Sequence, residues 1–295
     1  MSAASTMRRY VADGFRRRSL GQPWPVRLLL YLCAAVSLVI LLSPVLWIVS
    51  TAIKKPEHVF VVPPMLIPPE ISFDGIIGAF NIDIFHFFTN SVIVGAGSAA
   101  LATLSGALTA YGISRLRFRG RNLVLLFFLA SLAFPLPMMM ITMYGMFTAA
   151  GLLDTYLALI LGHTILTLPI VVWLMKDFFD TLPIELEEAA VVDGAGPFYT
   201  LFRILLPLLK PSLAAAAIFV FVTSWNEFVF GLTFISSVDM RPLPAGIAML
   251  YLQEFDYNWP ELMGIIIVVT LPILAMFLFF QRYFVAGVTG GAVKG

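Results

Sequence analysis

Six stretches of this chain are each long and apolar enough to cross a lipid bilayer, and nothing else in the sequence restricts its fold so tightly. A helix needs about 20 mostly apolar residues, at 1.5 Å each, to span roughly 30 Å of hydrocarbon. Residues 28–50, 88–111, 123–147, 153–175, 212–235 and 262–284 meet that requirement. The spacing predicts an all-α polytopic membrane protein with six transmembrane helices. Composition agrees, because 60% of the 295 residues are hydrophobic and only 12% are charged. A water-soluble globule of that composition would expose apolar patches large enough to aggregate. A soluble enzyme is therefore excluded. The net charge of +1 supplies no basic face for nucleic acid, and the single cysteine, Cys33, rules out a disulfide framework or thiolate metal cluster.

The first apolar run is too long and begins too late for a cleavable signal peptide, and it lacks a small-residue cleavage site. Arg8-Arg9 does not open a twin-arginine signal, since Asp13 and Arg16-Arg17-Arg18 stand where its apolar core should begin. Orientation follows from basic residues near the span ends. Arg8, Arg9, Arg16, Arg17, Arg18 and Arg27 precede the first span, and Arg115, Arg117, Arg119 and Arg121 lie between the second and third. Lys176, Arg203 and Lys210 lie between the fourth and fifth, and Arg282 and Lys294 follow the sixth. Only Lys54, Lys55 and Arg241 fall on the other side, so both termini are expected in the cytoplasm. The chain then divides into a basic N-terminal arm (1–27), a six-span membrane body (28–285) and a cytoplasmic tail (286–295).

The first outer loop, 51–87, holds Pro56, Pro63, Pro64, Pro68 and Pro69 and reads as a stiff extended path. The second, around Gly151, is short enough to make a tight hairpin of spans three and four. In the third, 236–261, Tyr251, Tyr257 and Trp259 suit either the membrane interface or a soluble partner.

The cytoplasmic loop 176–211 reads as helix, break, helix. Asp180 or Thr181 can cap a helix over 182–193 that carries Pro183 in its first turn, with Glu185, Glu187 and Glu188 complementing the positive end of its dipole. Gly194-Ala195-Gly196-Pro197 ends it, glycine permitting a left-handed turn and proline opening the next helix. Ala189, Ala190 and Gly194 leave part of its surface small. Helices that lie on lipid are usually rich in Lys and Arg with bulky apolar residues opposite. This one is acidic and small-sided, which favours docking into a groove of another protein.

The sequence contains no GxxxxGK[ST] phosphate loop, no HExxH and no GxSxG elbow, so it carries no ATP-binding or hydrolytic signature of those kinds. His58, His86 and His163 lack metal-ligand spacing. Glu227 is the carboxylate well inside a span, and an ionisable group there faces protein or a water-filled cavity. In Ser224-Trp225-Asn226-Glu227 it either contributes, with His163, to a path for hydroxyl-rich solutes or makes a structural hydrogen bond within the bundle.

Glu188-Ala189-Ala190, then Gly194, Ile204 and Leu206-Pro207 at fixed gaps, with Asp193 before the glycine, resembles the EAA loop of ABC importer permeases. Further runs are similar to the carbohydrate, maltose-type branch of that family. They are Asn90-Ser91, Ala110-Tyr111, residues 115–121, residues 151–156, Trp225-Asn226-Glu227-Phe228 and residues 291–295. The likeness extends from about residue 44 to the end. Gly162-His163 and Asp74-Gly75-Ile76 depart from the pattern.

The resemblance implies a type I ABC importer permease fold in a bacterial or archaeal cytoplasmic membrane, and a transport subunit rather than an enzyme. Its implied partners are a second homologous permease, two ABC ATPase subunits and an extracytoplasmic sugar-binding protein. ATP and Mg would be used by the partner ATPase, with no cofactor on this chain. Glu188, Ala189, Ala190, Asp193, Gly194, Ile204, Leu206 and Pro207 would couple to the ATPase. The tail, with Gly287, Thr289, Gly290, Gly291 and Lys294, would reach between the two ATPase subunits. Gln253, Glu254, Asp256 and Tyr257 would approach the binding protein. The solute would be a disaccharide, oligosaccharide or related polyol or glycerol phosphate. The competing class is an ion-gradient-driven secondary transporter or channel, for which Glu227 is the available intramembrane carboxylate and for which no internal repeat is present.

Overall fold

The computed structural model describes residues 23–80, 84–252 and 258–292, with side chains except those of 252, 276 and 279–292. Among the described residues every regular element is helical. They are α1 (Trp24–Ala52), α2 (Asp74–Gly78), α3 (Ile84–Arg115), α4 (Arg121–Ser131), α5 (Leu136–Ala149), α6 (Tyr156–Thr181) and α7 (Glu185–Val192). After them come α8 (Pro197–Leu208), α9 (Lys210–Asn226), α10 (Val229–Phe234), α11 (Leu243–Leu252) and α12 (Trp259–Ala292). The chain forms two compact units, Met1–Gly78 with Asn258–Ile267, and Ala79–Tyr257 with Val268–Gly295.

In the first unit α1 is apolar on all sides, and its side chains are exposed until Ser50, Thr51 and Ala52 at its end. A helix apolar all round belongs in hydrocarbon. Beyond it the proline-rich path has one 3-10 turn, Pro56–His58, before α2. It is pinned where Ser72 N–H donates to the Ile53 carbonyl (3.0 Å) and where Lys55 pairs with Glu70. Gly75 explains the departure seen in this loop. A Cβ there would fall 2.5 Å from the Pro260 carbonyl oxygen and 2.8 Å from that of Ala52, so only glycine fits.

The second unit is organised on α3 and α6. Small residues of α3 (Gly95, Ser98, Ala99, Ala102, Gly106, Ala107) are buried and bring the backbones close, since lipid supplies no hydrophobic drive between helices and close packing must do so instead. A Cβ on Gly106 would lie 2.5 Å from Val171 Cγ1. Val171, Met175 and Phe179 of α6 meet Leu201, Leu205 and Leu209 in one core, and Val94, Leu159, Phe230 and Phe234 centre a second.

Three helices, α1, α3 and α6, are long and apolar enough to cross a membrane unbroken. Two expected spans are not straight rods. Residues 123–147 divide into α4 and α5, which meet at 102°, because Pro135 has no N–H to continue the ladder of α4, disfavours a helical residue before it and is itself extended, while Pro137 is tolerated in the first turn of α5. Residues 212–235 divide at Glu227, whose extended backbone (ψ 128°) separates α9 from α10. Counting each bent pair as one crossing, α4 with α5 and α8 with α9, gives up to five by length and composition, and α12 covers the sixth expected stretch.

Candidate functional site

The loop 176–211 differs at its start from the sequence reading. Asp180 and Thr181 do not cap the following helix, because α6 continues through both. Asp180 instead accepts from Lys176 (2.6 Å) and Ser114, and Thr181 Oγ1 donates to the Phe178 carbonyl (2.7 Å). Leu182 is extended, and the helix runs over Glu185–Val192 rather than 182–193. Its other end is as expected. Gly194 is left-handed (φ +81°), Ala195 N–H donates to the Ala190 carbonyl (2.8 Å) and Gly194 N–H to that of Val191 (3.0 Å). That pair of bonds is a Schellman motif.

A residue that the sequence reading gave no part in this loop holds the helix in place. Arg115, the last residue of α3, donates from Nη2 to the carbonyls of Phe179 and Leu182 (both 2.8 Å), and its Nε pairs with Glu187 at 2.5 Å. Both side chains are largely buried. Arg115 thus ties the ends of α3 and α6 to the first turn of α7. The pairing joins residues 72 apart, and no local pattern announces it.

With Glu187 turned inward, Glu188, Ala189, Val191 and Val192 face outward. Val191 and Val192 are 69% and 87% exposed, and Ile184, Phe198 and Tyr199 continue the apolar surface. Ala190, expected on the docking face, is buried against the rest of the chain. Ala190, Asp193, Gly194, Tyr199, Arg203 and Ile204 line an open recess of about 550 Å³. A π-helical segment over Thr200–Leu205 precedes Leu206-Pro207, and α8 then meets α9 at 81°. Wide turns of this kind are rare and are often found at functional sites. Leu205, fully buried, anchors α8, whereas Ile204 and Leu206 are half-buried and Pro207 is exposed.

The second candidate group surrounds Glu227. Its Oε1 accepts from the N–H groups of Val229 (2.8 Å) and Phe230 (3.0 Å), and its Oε2 from Phe230 (2.8 Å), so the carboxylate caps α10. His163 Nε2 lies 3.5 Å from Oε2, His163 Nδ1 lies 2.7 Å from Ser224 Oγ, and the imidazole stacks on Phe230 at 5.5 Å. Gly162 allows this approach, since a Cβ there would touch Phe230 and Phe234 at 3.1 and 3.4 Å. The Gly162-His163 departure therefore serves the break in the fifth stretch. Trp225 is buried between Phe88 and Phe221 (5.2 and 5.7 Å), while Asn226 is exposed.

At the opposite end of α3 from Arg115, Asn90 and Ser91 grip residues 239–243. Asn90 Nδ2 donates to the carbonyls of Asp239 (2.8 Å) and Arg241 (2.9 Å), Tyr156 donates to Asn90 Oδ1 (2.7 Å), and Leu243 N–H donates to Ser91 Oγ (2.8 Å). Asp154 accepts from the N–H groups of Ser236 (2.9 Å) and Ser237 (2.8 Å) and from the Ser237 hydroxyl. These bonds hold its carboxyl below the usual Asp value, the Ser237 hydroxyl contributing most. The motif residues at 90–91 and 154–156 thus build one scaffold.

Gln253, Glu254, Asp256, Tyr257 and Lys294 lie outside the described residues, as does most of the N-terminal arm. Gly287, Thr289, Gly290 and Gly291 fall in the last turns of α12, beyond its described side chains.

Residues 102–290 match the family described as binding-protein-dependent transport system inner membrane component. A sulfoquinovosyl glycerol transport system permease protein of Agrobacterium fabrum is 34% identical over 266 residues, covering 90% of this chain and 93% of that protein. A trehalose/maltose transport system permease protein of Thermococcus litoralis is 33% identical over 273 residues, covering 91% and 97%. Among solved structures, a chain of a bacterial ABC transporter involved in import of the acidic polysaccharide alginate superposes with a TM-score of 0.77. It is 20% identical and covers 89% of this chain and 99% of that one. The likeness to that structure concerns the fold.

Proposed function

We propose, from the premise that this chain belongs to the family of binding-protein-dependent transport system inner membrane components, that it moves a carbohydrate and is driven through α7. It is a permease subunit of an ABC importer in the cytoplasmic membrane, a transport component and not an enzyme, with the ATPase on a separate chain. Six crossings with both termini cytoplasmic form the body at 28–285, between the basic arm and the tail. A second homologous permease completes the pathway, two ATPase subunits grip the cytoplasmic face, and an external binding protein delivers the sugar near residues 253–257. Relatives that carry sulfoquinovosyl glycerol or trehalose and maltose support a glycoside, disaccharide or oligosaccharide as the solute.

The observation that carries this reading is the posture of α7. Its inner side is fixed by Arg115 and its end by the Gly194 turn, while Glu188, Ala189, Val191 and Val192 stand free of the permease. Glu188 would pair with a basic residue of the ATPase, Ala189 and Gly194 would let the surfaces close together, and Ile204, Leu206 and Pro207 would set the direction of α8. The tail around Gly287–Gly291 would lie between the ATPases. Driven closure can shift access only if the loop binds the ATPase differently in the two states. Asn226, exposed beside the break at Glu227, is the group of the 225–227 run best placed to meet hydroxyls, with Trp225, His163 and Glu227 shaping the path behind it.

Glu188→Lys and Gly194→Leu test the coupling. Both variants should insert normally yet lose the co-purifying ATPase and sugar uptake. Normal uptake in both removes the docking claim, and uptake that follows an ion gradient without ATP favours a secondary transporter.

A further inference from the structure

Residues 116–121, Leu116-Arg117-Phe118-Arg119-Gly120-Arg121, link α3 to α4, and the coupling reading leaves them without a task. Arg115 just before them is committed to Phe179, Leu182 and Glu187. Arg117, Arg119 and Arg121 are exposed, and among the described residues no acidic side chain lies within ion-pair distance of them. Leu116 and Phe118, interleaved with them, are 54% and 44% exposed. Gly120 (φ +91°) turns the chain into α4 with open space around it. α4 has no acidic residue in its first turn; Arg121 stands there instead, at the positive end of the helix dipole, where a cation is unfavourable. An anion beside Arg121 relieves that mismatch. Leu123, Leu126 and Phe127 of α4 are exposed and apolar.

We propose that residues 116–121 form a binding site for anionic glycerophospholipid of the cytoplasmic leaflet, a proposal that rests on the membrane orientation given above. The guanidinium groups of Arg117, Arg119 and Arg121 fork onto headgroup phosphates, a geometry that arginine matches and lysine does not. Leu116 and Phe118 enter the acyl boundary between them, where amphipathic segments place their apolar residues. The charge is complementary, and the link is too short to leave the surface of the bilayer that its flanking helices enter. Because the segment follows Arg115 directly in the chain, holding it at the bilayer surface bears on how firmly Arg115 keeps α7.

The test uses the complete transporter, purified and reconstituted in phosphatidylcholine vesicles with and without an equal share of phosphatidylglycerol. Wild type should retain phosphatidylglycerol through purification and take up sugar faster when it is present. Each Arg→Gln change should weaken retention about fivefold, from about 1 kcal/mol per basic residue near an anionic surface. R117Q/R119Q/R121Q should abolish both retention and the lipid response, and R117K/R119K/R121K should fall between. Equal retention in wild type and the Gln variant overturns the site. So does loss of ATPase from the Gln variant in vesicles without phosphatidylglycerol, which places the arginines on protein. N122C in a C33A background reports orientation. Labelling from outside overturns the orientation and the leaflet, whereas cytoplasmic labelling without lipid selectivity overturns the lipid site alone.

Discussion

Arg115→Ala should release α7 from the membrane body while leaving the body itself folded. The arginine makes two hydrogen bonds to carbonyls and one ion pair. The Phe179 and Leu182 carbonyls sit at a helix end and can take up water, so losing their partner costs little. Glu187 is different. Its side chain is only 14% exposed and that of Arg115 only 11%, so the variant leaves a carboxylate mostly desolvated without its cation. Breaking a fully buried pair from one side costs about 3–5 kcal/mol, and the residual exposure here lowers that to about 2–3 kcal/mol. A tenfold change corresponds to about 1.4 kcal/mol, so the equilibrium constant for docking α7 should fall about thirty- to a hundred-and-fiftyfold. Hydrogen exchange reads this directly, because the amides of 189–195 that bond within α7 and its cap should lose protection by that factor while those of α3 do not. Sugar uptake should fall with it. The Arg115→Ala/Glu187→Ala double variant should cost clearly less than the sum of the single variants, since removing both charges leaves no unpaired group. Unchanged exchange over 189–195 in Arg115→Ala, or strict additivity in the double variant, would refute the clamp.

Three further outcomes are expected. Gly106→Ala places a methyl 2.5 Å from Val171 Cγ1, on a β-branched side chain that cannot swing away within a helix, and should lower stability by about 1–3 kcal/mol, read as a drop in the thermal midpoint. Glu227→Ala removes the acceptor of the Val229 and Phe230 N–H groups and should cost about 1 kcal/mol, typical of a lost helix cap; Glu227→Gln, which keeps an oxygen, should restore much of it, and uptake kinetics unchanged by Ala would confine Glu227 to that structural part. Asp154 has a depressed carboxyl, so its contribution is present above the ordinary Asp value of about 3.9 and is lost as pH falls through the lower folded one. Amides of Ser236 and Ser237 should stay protected through mild acid and open below about pH 4, and Asp154→Asn should erase that pH dependence.

The end of α7 is legible in its residues because helix termination is local. Gly194 turns left-handed as its neighbours require, and Thr155, in the run 151–156, caps α6 by accepting from Ala158 N–H (3.2 Å). The start of α7 is less legible, because a side chain suited to capping can be claimed by another partner. Asp180 and Thr181 are good caps by type, but Lys176, Ser114 and the Phe178 carbonyl claim them once α3 and α6 are side by side. The break at Glu227 has no proline or glycine to announce it. It exists because the carboxylate satisfies the N–H groups that the break frees and because His163, on another helix, stands beside it.

Hydropathy alone points this chain into a membrane as helices, since so many apolar side chains cannot be left facing water, and the arginine bias predicts a sidedness. Local hydrogen-bonding preference settled where α7 ends. Which of its faces is free was decided by the folded chain: Ala189 and Ala190 are equivalent in sequence, yet packing buries one and exposes the other. The same holds for Arg115 against Arg117 and for Glu187 against Glu188. Their roles depend on partners dozens of residues away, and only the closeness of α3 to α6, permitted by small side chains, brings those partners within reach.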